Sequence, residues 1–176
     1  MVRRPSLTRR PALVGLVGLT AVGLLARLFA LGFRVFHWDE GRVGYWTLRY
    51  MRSGIWEYRA IMHGPLLFHA NSHLFDVFGA TDVTGRLLVA LVGGLLPLSA
   101  WLFRRRLEPL EMVVLGGFLA LNPVLLYYSR FMRNDILVAG FALLAVGCFV
   151  RLRDSGNHRY LYAGALALAL GFAPTE

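Results

Sequence analysis

Long apolar runs almost without acids are the feature that most constrains this 176-residue chain. They lie at residues 11–36, 83–103, 110–128 and 136–150, with a fifth at 160–174. At about 1.5 Å per residue, such runs match a hydrocarbon layer roughly 30 Å thick. In lipid the backbone must satisfy its own polar groups, so each run reads as a helix. Composition agrees: 57% of residues are hydrophobic and 16% charged, against about a quarter charged in ordinary soluble domains. The expected fold is an all-α, polytopic membrane helix bundle.

The net charge of +9 is carried by arginine alone, since the chain has no lysine. Ten of the 19 arginines fall in residues 1–10, 104–106 and 151–159, three segments that alternate with the apolar runs so as to share one side of a membrane. That asymmetry is the positive-inside pattern, and it removes the need for a nucleic-acid partner. Residues 1–10 become a basic cytoplasmic tail, and the protein becomes a multi-pass protein of the cell (plasma) membrane. The first run exceeds a signal-peptide core of about 7 to 15 residues and has no small-residue cleavage site, so it is expected to stay. Arg27 lies near its outer end, where a guanidinium is expected to snorkel to the interface.

Residues 37–82 form the first outer loop, rich in the aromatic residues that favour headgroup level. Within it, Pro65 to Phe78 has a helical moment, with His69, Ser72, His73 and Asp76 on one face and Leu66, Leu67, Ala70, Leu74, Phe75 and Phe78 on the other. At roughly 21 Å it is too short to span, so it is expected in the plane of the interface. Arg104-Arg105-Arg106 anchors a tight hairpin between the second and third spans. Asn122-Pro123 is expected to kink the third span. The fifth span reaches the outer face as the sequence ends, which suggests a longer protein. Cys148 sits inside an apolar run and implies no disulfide framework.

The outer loops put acids at the membrane boundary: Asp39 and Glu40 after the first span, Asp135 before the fourth. Partial dehydration there favours base catalysis or capture of a divalent cation. Capping explains the same residues, with Asp39 as an N-cap and Asn134-Asp135 at the start of the fourth span. Arg130 and Arg133 present two guanidiniums to the outer headgroup layer, suited to a phosphate or to simple lipid anchoring. His69, His73 and Asp76 have helical spacing but no zinc signature, and they read as a polar face.

Several blocks then stand in a telling order: His37-Trp38-Asp39-Glu40, His63-Gly64-Pro65-Leu66-Leu67, Gly85-Arg86-Leu87-Leu88, and Asn122-Pro123 followed by Tyr127-Tyr128-Ser129-Arg130-Phe131-Met132-Arg133-Asn134-Asp135. The chain resembles the N-terminal module of GT-C fold glycosyltransferases. Within that superfamily it is most similar to the flippase-activity-associated, family 39-like membrane proteins of archaeal N-glycosylation clusters. The resemblance implies a polyprenyl-phosphate-linked sugar donor, with Asp39 as the base and Glu40 and Asp135 as supporting carboxylates. The expected substrate-binding residues are Arg130, Arg133, Asn134 and His63, the arginine role coming from their phosphate chemistry. The cofactor and the oligomeric state stay open, a divalent cation being one candidate.

Three functions compete. The leading one is a glycosyltransferase drawing on a polyprenyl-phosphate-linked sugar at the extracytoplasmic face. The second is a non-catalytic helper of lipid-linked sugar translocation or assembly. The third is a transporter, which would place polar residues at mid-depth along several spans. The second to fourth runs are almost purely apolar, which argues against it.

Overall fold

The computed structural model describes residues 10–55 and 65–173. All regular structure among them is helical: α1 (Arg10–Leu28), α2 (Trp38–Ser53), α3 (Pro65–Phe78), α4 (Asp82–Leu95) continued by a 3-10 helix (Leu96–Phe103), α5 (Pro109–Leu121), α6 (Pro123–Tyr128), α7 (Asp135–Ser155) and α8 (Arg159–Phe172). Among the described residues, α1, α4 with its extension, and α7 are long and apolar enough to cross a membrane, while α5 and α8 are shorter apolar helices. The protein is an all-helical membrane bundle, as its apolar runs require. His63 and Gly64 lie outside the described residues.

Helix boundaries differ from the apolar runs for local reasons. α1 stops at Leu28 rather than at residue 36, and the chain then turns through Ala30, a non-glycine residue at φ 49°. α7 extends past residue 150 to Ser155, because Arg151, Arg153 and Asp154 enter its last turns and Gly156 closes it in the left-handed conformation. Hydropathy alone marks the lipid-facing length of a helix, not its polar ends. Within the second span, Pro97 offers no N–H, so the Gly93 carbonyl is taken by the N–H of Leu96 instead, three residues on. The remainder winds as a 3-10 helix, and the two parts together reach roughly 37 Å.

The Asn122-Pro123 break is clean. Val124 and Leu125 donate to the Asn122 side chain at 3.0 and 3.1 Å, capping α6. Pro123 lacks an N–H and Val124 has turned its own away, so the carbonyls of Leu119 and Ala120 lose their helical donors. Arg27 supplies replacements: Nη1 donates to Ala120 at 2.8 Å and Nη2 to Leu119 at 3.2 Å. This corrects the expected snorkelling of Arg27, whose side chain is fully buried. A guanidinium inside the bundle is tolerated because the proline break has left acceptors for it.

α1 packs on α4 and α5, and α7 packs on α8 and the 3-10 helix. Close approach depends on small residues, as it does in membrane bundles generally. A Cβ at Gly94 would collide with Leu24, and one at Gly93 with Ser129. α3 packs against both α2 and α4. It buries Leu67, Phe68, Asn71, Ser72 and Phe75 and leaves His69, His73 and Asp76 exposed. Ser72 therefore belongs to the packed face rather than the polar one, its hydroxyl satisfied by the His69 carbonyl at 2.8 Å.

Candidate active site

The connection from α1 to α2 is held by one side chain from α4. Arg86, 1% exposed, donates through Nη1 to the carbonyls of Leu31 (2.9 Å) and Arg34 (2.8 Å), and through Nη2 to Val35 (3.5 Å). Its Nε and Nη2 grip the two carboxylate oxygens of Glu40 at 2.7 and 2.9 Å. All five guanidinium N–H groups thus have acceptors, and the Phe36 ring lies 4.7 Å from the guanidinium carbon.

Glu40 is correspondingly saturated. Besides Arg86 it accepts from the backbone N–H of His37 and of Met132, both at 3.0 Å, and from Arg34 at 3.2 Å. The His37 contact is half of a capping box, the other half being the His37 side chain at the start of α2. Burial alone would raise the Glu40 carboxyl, but the Arg86 hydrogen bonds, the two backbone N–H groups and the Arg86 charge together hold it below the usual carboxylate range. Glu40, expected as a supporting carboxylate, is thus fully buried with both oxygens occupied by protein donors, one residue after Asp39 in the first turn of α2. His37 rather than Asp39 is the N-cap, which leaves the Asp39 side chain for other partners.

Asp39 points to the rim, with 28% of its side chain exposed. It meets Arg133 Nη1 at 3.2 Å, Arg42 at 3.4 Å and His37 Nδ1 at 3.7 Å. Arg133 also reaches Asp135 through Nε at 3.4 Å. One guanidinium therefore bridges acids from the first turns of α2 and α7, 96 positions apart. Asn134 sits at the N-cap of α7, nearly buried, with its carbonyl accepting from Val138. Arg130 turns elsewhere, donating to the carbonyls of Ala26 (3.3 Å) and Ala30 (3.0 Å) at the end of α1.

Beside this rim lies a cavity of about 310 Å³, lined by Leu31, Arg34, Arg86, Leu126, Tyr127 and Arg130. Its lining combines three arginines with two leucines and a tyrosine. Arg133 does not line it, so the two arginines expected to act together are separated in place. Arg34, Arg86 and Tyr127 were given no role from sequence. Arg86 carried a signal, an arginine near the start of an apolar helix. Arg34 carried none, since its place depends on the turn after α1. Among the described residues no group of three or more His, Cys, Asp or Glu side chains could hold a metal. Asp39 and Asp135 face a shared guanidinium, not the ring of oxygen ligands that hard cations need.

The dolichyl-phosphate-mannose-protein mannosyltransferase family matches residues 62–174. That stretch contains Arg86, Tyr127, Arg130, Arg133, Asn134 and Asp135, while Asp39 and Glu40 precede it. No curated protein and no solved structure matches the chain. With well over half of its length matched, the chain belongs to the dolichyl-phosphate-mannose-protein mannosyltransferase family, a family of membrane glycosyltransferases.

Proposed function

We propose that this chain carries the reaction rim of an inverting glycosyltransferase that takes a sugar from a polyprenyl-phosphate donor at the extracytoplasmic face of the cell membrane. The observation that carries the reading is the bridge from Asp39 through Arg133 to Asp135 beside an arginine-lined cavity. Asp39 takes the proton of the acceptor's nucleophilic group as that atom bonds to the anomeric carbon. The bond from that carbon to the phosphate oxygen breaks, and its electron pair leaves on the polyprenyl phosphate. Asp135 and Arg133 keep Asp39 aimed.

Orientation follows from charge. Arg105 and Arg106 reach Asp154 at the C-terminal end of α7, whereas Asp135 starts the same helix. The arginine cluster at Asp154 and the rim that holds Asp135 are thus roughly 28 Å apart along one helix. The positive-inside rule puts the basic end and the N-terminus in the cytoplasm and the rim outside. α3, which exposes its histidines, would then lie along the outer interface, and the blocks around Asp39 and Asp135 favour the flippase-associated group within the family.

The test is a membrane assay with a labelled polyprenyl-phosphate sugar. Asp39→Asn should lower transfer by about 10²–10⁴ while leaving insertion and thermal stability near the parent's. A helper of lipid-linked sugar assembly would tolerate that change, and undiminished transfer would remove the enzyme reading.

A further inference from the structure

Three arginines line the cavity, but they are not equivalent. Arg86 has all five donors on protein acceptors. Arg130 holds the last carbonyls of α1 and its turn. Arg34 is different: 42% of its side chain is exposed, and among the described residues its hydrogen bonds to protein run through Nη2 alone, to Glu40 and to the Arg130 carbonyl. Its guanidinium lies 4.8 Å from the Phe131 ring centroid and 5.3 Å from that of Tyr127. Two aromatic rings and an ion pair hold it in one orientation without blocking the rest of its fork.

The same cavity is lined by the aliphatic side chains of Leu31 and Leu126. A cavity of this size is at the lower end of the range for small-molecule sites. A guanidinium with spare donors in a cavity that aliphatic side chains also line suits an oxyanion attached to a hydrocarbon chain.

We infer that Arg34 is the phosphate ligand of this cavity, receiving the phosphate of the polyprenyl carrier while the first isoprene units lie against Leu31 and Leu126. This rests on the glycosyltransferase reading for the carrier's identity, but not for the existence of the site. It moves the phosphate contact from Arg133, which is engaged by two acids, to a residue on the α1–α2 connection. Arg130 is the second cation of the site and Tyr127 its aromatic wall.

The experiment measures binding of polyprenyl phosphate to the purified chain in detergent, with polyprenol and inorganic phosphate as competitors and with thermal unfolding followed in parallel. Arg34→Gln should weaken polyprenyl phosphate binding about tenfold, and Arg34→Lys should restore part of it. In the transfer assay, Arg34→Gln should raise the donor KM more than it lowers kcat. Since Arg34 also touches Glu40, Leu126→Trp, which fills the apolar side without changing charge, provides an independent variant and should cause a similar loss. Inorganic phosphate competing as well as the lipid would overturn the carrier assignment. Binding unchanged in both variants would overturn the site. If Asp39→Asn stops transfer but Arg34→Gln binds normally, only this inference falls. If the parent transfers no sugar yet Arg34→Gln loses the lipid, the enzyme reading falls and the site remains.

Discussion

Arg86 and Glu40, 46 positions apart in the chain, form a fully buried bidentate pair at 2.7 and 2.9 Å that ties the start of α2 to α4. The pair fixes the turn that carries Asp39, because Glu40 follows Asp39 directly and cannot rotate without losing five donors. Removing one partner strands the other as a buried charge. Glu40→Gln and Arg86→Met should each destabilise the protein by about 3–5 kcal/mol, whereas replacing both with apolar residues should cost less than the sum. Thermal unfolding of the four proteins in one detergent checks this.

The same pair gives a pH dependence whose sign is fixed. Glu40 titrates below the usual carboxylate range in the folded protein and at the ordinary value when unfolded. The unfolded chain therefore binds the proton first, and the stability Glu40 contributes is complete above the ordinary carboxylate pKa. It is lost as pH falls through the depressed folded value. Stability measured across the acid range should fall in the parent, and this component of the slope should vanish in Glu40→Gln.

Asp39 and Asp135 should separate function from folding. Asp39→Asn is expected to lower the rate of sugar transfer by about 10²–10⁴, the usual contribution of a general base. Asp135→Asn should have a smaller effect, through the Arg133 bridge. Both are partly exposed ion pairs, so unfolding midpoints should correspond to changes within about 1 kcal/mol. Equal losses of activity and stability in Asp39→Asn would argue that it too is structural.

Arg27 and Pro123 should be energetically coupled. Arg27→Met leaves the Leu119 and Ala120 carbonyls without their donors, at about 1–3 kcal/mol for each group. Pro123→Ala restores an N–H that can reach Leu119 if α5 and α6 join. The double variant should therefore be less destabilised than the two single effects predict. Additive losses would mean that Arg27 does not compensate for the break.

Two glycines test the packing. A Cβ at Gly93 would lie 2.6 Å from the Ser129 Cβ and 3.1 Å from Arg27 Nε, whereas one at Gly117 meets nothing within 4 Å. Gly93→Ala should cost about 1–3 kcal/mol through overpacking. Gly117→Ala should be neutral or stabilising by up to about 1 kcal/mol, as helix propensity favours alanine. Unfolding midpoints in detergent distinguish the two.

The apolar runs and the arginine asymmetry were enough to establish a membrane bundle, because hydropathy and loop charge are properties of local sequence that lipid reads directly. The break at Asn122-Pro123 was equally legible, since proline's missing N–H is a covalent fact. Sequence also marked Asp39, Glu40 and Asp135 as boundary acids, but could not say which of them is free. Only the tertiary structure decided that Glu40 is enclosed by Arg86, Arg34 and two backbone N–H groups while Asp39 faces the rim beside Arg133. Likewise, only the folded chain shows that Arg27 satisfies carbonyls more than 90 residues away and that Arg34 borders a cavity. The role of a charged side chain in this protein depends on which distant donor or acceptor packing places against it, and no spacing along the chain encodes that distance.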